Sequence, residues 1–131
     1  MGSLYKCRSC ESVLNPVREI VVGGRFEQTR TLFFLQPELG DYGFTTAPGV
    51  EVVPGDTWEF YCPLCLHNLT TAFSSSLAEL NLVDEGGQRR VVVFSKVANQ
   101  HASFEVTEAG VEAYGEHQGA YFDAFVDDHY W

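Results

Sequence analysis

Residues 60–69 read Phe60-Tyr61-Cys62-Pro63-Leu64-Cys65-Leu66-His67-Asn68-Leu69, and residues 5–14 read Tyr5-Lys6-Cys7-Arg8-Ser9-Cys10-Glu11-Ser12-Val13-Leu14. Aligned, both stretches are aromatic-x-Cys-x2-Cys-x3-Leu. Two residues between cysteines allow a tight turn that points both thiols to one side, and two such turns supply the four sulfurs of a tetrahedral structural zinc site. The aromatic residue two positions before each pair and the leucine four positions after it predict a strand entering each turn and an apolar anchor leaving it. The sequence therefore predicts one structural Zn2+ held by Cys7, Cys10, Cys62 and Cys65, with 51 residues between the two pairs.

The remaining chain reads as mainly β. Val17–Val22 is a strand candidate closed by a Gly23-Gly24 turn, and Thr29–Leu35 is a second strand. Residues 37–54 form a Gly/Pro-rich loop with a short strand near Val50–Val53. Thr57–Tyr61 leads into the second cysteine pair. Leu80–Val83 and Arg89–Val97 flank Asp84-Glu85-Gly86-Gly87 as a hairpin. Ala102–Thr107 and Val111–Gly115 form another, turning at Glu108-Ala109-Gly110. Pairing Thr107 with Val111 in that hairpin brings His101 opposite His117, where two imidazoles could bind a second metal or share a proton. Tyr121, Phe122, Phe125 and Val126 have the spacing of a short helix over Gly119–Val126. The expected architecture is one domain spanning 1–131. Its 4–75 half carries the two zinc knuckles, and its 76–131 half is an antiparallel meander ending in an acidic aromatic segment.

Charge limits the function classes. The chain of 131 residues has 18 acidic and 8 basic side chains, a formal net charge of -10; four thiolates around one divalent ion take it to about -12. Such a balance opposes binding to a phosphate backbone. Five of the basic residues (Lys6, Arg8, Arg18, Arg25, Arg30) lie in the first thirty, so any anion-binding face lies near the N-terminal knuckle. No apolar run is long enough to span a membrane. The polar, cysteine-bearing N-terminus has no secretory h-region, which predicts a reducing, cytoplasmic setting in which cysteines bind metal rather than form disulfides.

At the cysteine pairs the chain resembles the two-knuckle zinc folds, the zinc ribbons and the β-tent group; Cys62-Pro63-Leu64-Cys65 followed by Leu69 is similar to the ribbon pattern. Methionine sulfoxide reductases of the B type share such a zinc, but their reaction needs a further cysteine or selenocysteine that this chain lacks. The stretch Pro54-Gly55-Asp56-Thr57-Trp58, the following cysteine pair, Leu69 and Phe73 is similar to the thalidomide-binding domain of cereblon. Of that family's three caging tryptophans Trp58 matches one, while Thr71 stands where another would fall. The resemblance implies a zinc-stabilised fold and no particular ligand.

Other chemistry is weaker. A redox Cys-x2-Cys needs a helix N-terminus, and each pair here follows a strand. A catalytic zinc needs an open coordination position, and four matched cysteines close the shell. His67, with four cysteines present, reads as a neighbour of the ion rather than a ligand. Trp58 reads as core, Asp84-Glu85 as turn residues and Arg89-Arg90 as a surface edge. The expected function is a non-enzymatic, zinc-stabilised binding or adaptor module for a protein partner or a second copy, with Tyr130 and Trp131 of the acidic tail as interface anchors. The alternatives are a nucleic-acid-binding ribbon using the N-terminal basic residues and a small-molecule binder with a pocket near Trp58.

Overall fold

The computed structural model describes residues 3–72 and 74–121. Nine strands form two antiparallel sheets: β1 (Leu4–Lys6), β2 (Ile20–Phe26), β3 (Thr29–Leu35), β4 (Phe44–Thr46), β5 (Glu59–Tyr61), β6 (Leu77–Val83), β7 (Arg89–Ser95), β8 (Ser103–Thr107) and β9 (Gly110–Tyr114). One sheet has the order β1-β6-β7-β8-β9 and the other β4-β3-β2-β5. Among the described residues there is no closed barrel, the one helical element is a 3-10 turn at Gln118–Tyr121, and no helix is long and apolar enough to cross a membrane.

The mainly β reading holds, and both predicted hairpins form. Three local expectations are corrected. Gly23-Gly24 is not a turn: β2 runs straight through it, and the chain reverses at Glu27-Gln28, where Glu27 takes φ 54°. The glycines are there for close packing. A Cβ on Gly24 would sit 2.3 Å from the Phe33 ring, and one on Gly23 would sit 2.2 Å from the Tyr61 ring. The short strand after Pro37 lies at Phe44–Thr46, paired with β3, and not at Val50–Val53. In the last hairpin Thr107 pairs with Gly110 rather than Val111, a slip of one residue. The helix expected over Gly119–Val126 falls largely outside the described residues.

The main core lies between the sheets. Leu80, Leu82 and Val92 from the first sheet meet Ile20, Val22, Phe33 and Phe60 from the second, with Trp58 packed among them. Alternation along the strands sends these side chains inward. Trp58 contacts the Phe26 and Phe33 rings at centroid distances of 5.5 and 5.1 Å, the latter edge-on, the arrangement a ring quadrupole favours. A second cluster of Leu77, Val93, Ala102, Phe104 and Val106 lies on the opposite face of the first sheet. β1, from the N-terminal knuckle, pairs with β6, so the first sheet draws strands from both ends of the sequence.

Candidate metal centre and inter-sheet cavity

The first cysteine pair follows β1 of the five-stranded sheet and the second follows β5 of the four-stranded sheet. Their meeting point is therefore a joint between the sheets. The two turns are built alike, residue for residue. Glu11 N–H donates to Cys7 O (2.8 Å), and Leu66 N–H to Cys62 O (2.9 Å). Each donor has left-handed backbone, φ 60° at Glu11 and 65° at Leu66, a conformation that closes a turn at some cost for residues with a side chain. Bridges Lys6↔Val13 and Tyr61↔Asn68 then turn the chain back on itself. Leu14 N–H donates to Tyr5 O and Leu69 N–H to Phe60 O, and all four of these residues are buried. The sequence repeat is a structural repeat.

The sulfurs converge. Cys7 Sγ lies 3.7 Å from Cys65 Sγ, and Cys10 Sγ lies 3.7 Å from Cys62 Sγ; ligand atoms of all four cysteines lie within 4.8 Å of one another. A disulfide would need about 2.05 Å. Four metal–sulfur bonds of about 2.3 Å in a tetrahedron place the sulfurs about 3.8 Å apart, which the two shortest separations match. Backbone N–H groups of Ser9, Leu64 and Cys65 point at Cys7 and Cys62 Sγ at 3.3–3.5 Å and would stabilise thiolate charge. Without an ion the inner pair resists ionisation: burial pushes the Cys62 thiol up to about 12 and raises Cys7 as well. The exposed Cys10 is lowered to about 6 by hydrogen bonding with Ser12. The four cysteines are thus arranged to bind a metal ion, whose charge would offset the burial of Cys7 and Cys62.

His67 is half-buried beside the joint, with Nε2 3.5 Å from Arg8 Nε of the other knuckle. Arg8 also pairs with the buried Glu79 on β6 at 3.0 Å, so it ties both knuckles to the first sheet. The Asp84 carboxylate is committed to the backbone N–H groups of Gly86 and Gln88 and to Arg90, as a turn residue should be. Arg89 pairs with Glu11, and Arg90 also with Glu105.

His101 and His117 do come together, with ring centroids 5.7 Å apart, and Glu116 joins them at 3.1 Å from His101 Nδ1. The slipped register leaves their bonding different from a simple facing pair. His117 N–H donates to His101 O, and His101 N–H donates to His117 Nδ1, both at 2.9 Å. One ligand atom each from His101, Glu116 and His117 lie within 4.8 Å of one another, close enough to share a metal ion, while His117 Nδ1 is engaged by the His101 N–H. The His101 ring stacks on Tyr42 with centroids 4.7 Å apart and planes 5° from parallel.

That clasp lies beside a pocket that includes Trp58. A cavity of about 260 Å3 opens between the sheets. Its floor is Trp58, Phe33, Phe60, Leu80 and Val92, and its rim is formed by loops 36–43 and 95–102, including Tyr42 and His101. Trp58 Nε1 and Tyr42 Oη, both on lining residues, are the buried side-chain polar atoms without a hydrogen-bond partner among the described residues. Lys96 also lines it but is fully used. Its ammonium bonds Glu59 (2.8 Å), Thr70 (2.9 Å) and the Ser75 carbonyl (2.9 Å). No local pattern announces the cavity, because its walls are far apart in sequence.

No protein-family model, no curated protein and no solved structure matches this chain.

Proposed function

We propose that this protein is a non-enzymatic binding module in which a structural zinc joins two β-sheets and the cavity between them receives a small, largely apolar molecule. The cavity carries this reading. Ligand sites are concave, mostly apolar and set with a few polar groups, and this one has an aromatic floor and polar residues such as Gln36, Tyr42 and His101 around it. The volume suits a ligand on the order of a dozen non-hydrogen atoms.

Zinc is the ion that the donor set supports best: two Cys-x2-Cys turns whose four sulfurs fill a tetrahedral shell are the signs of a closed structural site. Two sheets joined at a four-cysteine knuckle pair also support kinship with the tent-like zinc folds. In this reading the metal does no chemistry. It fixes the angle between the sheets and so the width of the cavity.

A fragment screen by NMR on the zinc-loaded chain tests the proposal. Binders should shift amides of loops 36–43 and 95–102, and Val52→Trp, at the cavity wall, should abolish those shifts while zinc content and melting temperature stay close to wild type. Binders whose shifts survive Val52→Trp, or a screen with none in these loops, would refute the cavity reading.

A further inference from the structure

The outer face of the four-stranded sheet, turned away from the cavity, carries two arginines with no ion-pair partner among the described residues. Arg25 on β2 and Arg30 on β3 are directly opposite in the antiparallel register, and both are exposed. Like charges in that position repel. Of the eight basic residues, Arg8, Arg18, Arg89, Arg90 and Lys96 have ion-pair partners. Lys6, Arg25 and Arg30 have none among the described residues. Glu27, in the turn between the two strands, forms no ion pair with either arginine among the described residues. Glu59, the cross-strand neighbour of Arg25, is drawn away to Lys96, Thr70 and Asn68.

The same face is apolar beyond the arginines. Stepping two residues along the ladder, Gly23 faces Leu32 on one side and Tyr61 on the other, and Val21 faces Phe34. The Tyr61 ring lies over Gly23 in the space a side chain would fill. Leu32 is 42% exposed, and Tyr61, Phe34 and Val21 are half-buried. The result is a shallow apolar strip with two unpaired cations at one end.

We propose that this face docks an acidic peptide segment of a partner protein, with carboxylates on Arg25 and Arg30 and an aromatic or aliphatic side chain on the Leu32–Tyr61 strip. Charge complementarity selects the occupant. Arginine forks match carboxylates bidentately, and the strip rewards an apolar residue about 7 Å further on, two positions along an extended chain. Nucleic acid is disfavoured because two free arginines on a protein of net charge -10 release few counterions. A small free anion would gain nothing from the strip. The site lies on the opposite side of the sheet from the cavity, so the two can be tested separately.

The test uses the full zinc-loaded chain and a panel of fluorescent octapeptides, each with two glutamates and a phenylalanine, tyrosine or leucine one to three residues later, read by anisotropy. At least one should bind saturably. Arg25→Glu/Arg30→Glu should weaken it tenfold or more and bind the lysine-for-glutamate version of the same peptide instead. Leu32→Ser should weaken binding without changing its salt dependence, and Val52→Trp should leave it intact. Because the arginines repel each other, Arg30→Glu alone should melt no lower than wild type. Absence of saturable binding across the panel, failure of the charge swap, or stronger and steeply salt-dependent binding to single-stranded DNA would overturn the proposal.

Discussion

Each knuckle takes its cysteines, its left-handed turn residue and both apolar anchors from ten consecutive residues, whereas the cavity is walled by strands and loops spread from Tyr5 to Ser103. The knuckles are specified locally and twice, so their geometry survives wherever the ten residues are placed. In the proposed reading, the cavity depends on the joint that holds the two sheets at a distance. Stability should therefore be concentrated at the joint, and tolerance of substitution at the cavity rim.

Metal removal should have the largest effect. Four-thiolate zinc binding is worth about 10–16 kcal/mol in finger peptides, against a whole-domain stability of about 5–15 kcal/mol. Stripping the ion with a chelator, or Cys62→Ser, should abolish the native NMR spectrum of the joint and cavity together. The β6–β9 meander should be the last part to keep amide protection; a fully native spectrum without metal would remove the basis of the contrast.

The two leucine anchors should behave alike. Leu14 and Leu69 are equivalent in the repeat and are 2% and 0% exposed. Leu14→Ala and Leu69→Ala should each cost about 2–5 kcal/mol, with values close to each other, measured by urea unfolding of the loaded protein. A large cost at one and none at the other would mean that the repeat is one of sequence alone.

Lys96 gives a smaller effect where the sheets meet away from the metal. Burial raises the Glu59 carboxyl, but hydrogen bonds from Lys96, Asn68 and Thr70 outweigh it and hold the group below its ordinary value of 4.5. A depressed carboxyl stabilises the fold above its unfolded pKa, and that contribution is lost as pH falls through the folded one. Wild type should therefore lose more stability than Glu59→Gln between neutral pH and the acid side of the carboxylate range. At neutral pH the substitution should cost about 1–2 kcal/mol, the modest size reflecting the exposure of Glu59.

The smallest effect is expected at the rim. Tyr42 Oη is buried without a partner, so Tyr42→Phe should leave thermal stability unchanged or slightly raised. A loss above about 1 kcal/mol would show that the hydroxyl has a bonding role, such as to a bound water.

The sequence exposed what repeats over short distances: the four converging cysteines, the anchors at Tyr5, Leu14, Phe60 and Leu69, and the two hairpins of the five-stranded sheet. It misled at Gly23-Gly24, where turn chemistry and close packing call for the same residue. The reason for those glycines, the Phe33 and Tyr61 rings, lies in other strands. The slip at Thr107↔Gly110 has a similar origin, since a three-residue and a two-residue turn share the same composition. His101 and His117 met despite the slip because the chain continues past the last ladder pair and closes through His117 Nδ1. Of the cavity only the position near Trp58 was legible; its other walls and the strip beside Arg25 and Arg30 are assembled from residues with no common period.

Zinc K-edge X-ray absorption on the purified chain tests the metal joint itself. The expected result is one zinc per chain with four sulfur scatterers at about 2.3 Å and no nitrogen or oxygen in the shell. A mixed shell with light atoms at about 2.0–2.1 Å, or a folded chain that retains no metal, would contradict a closed four-cysteine joint.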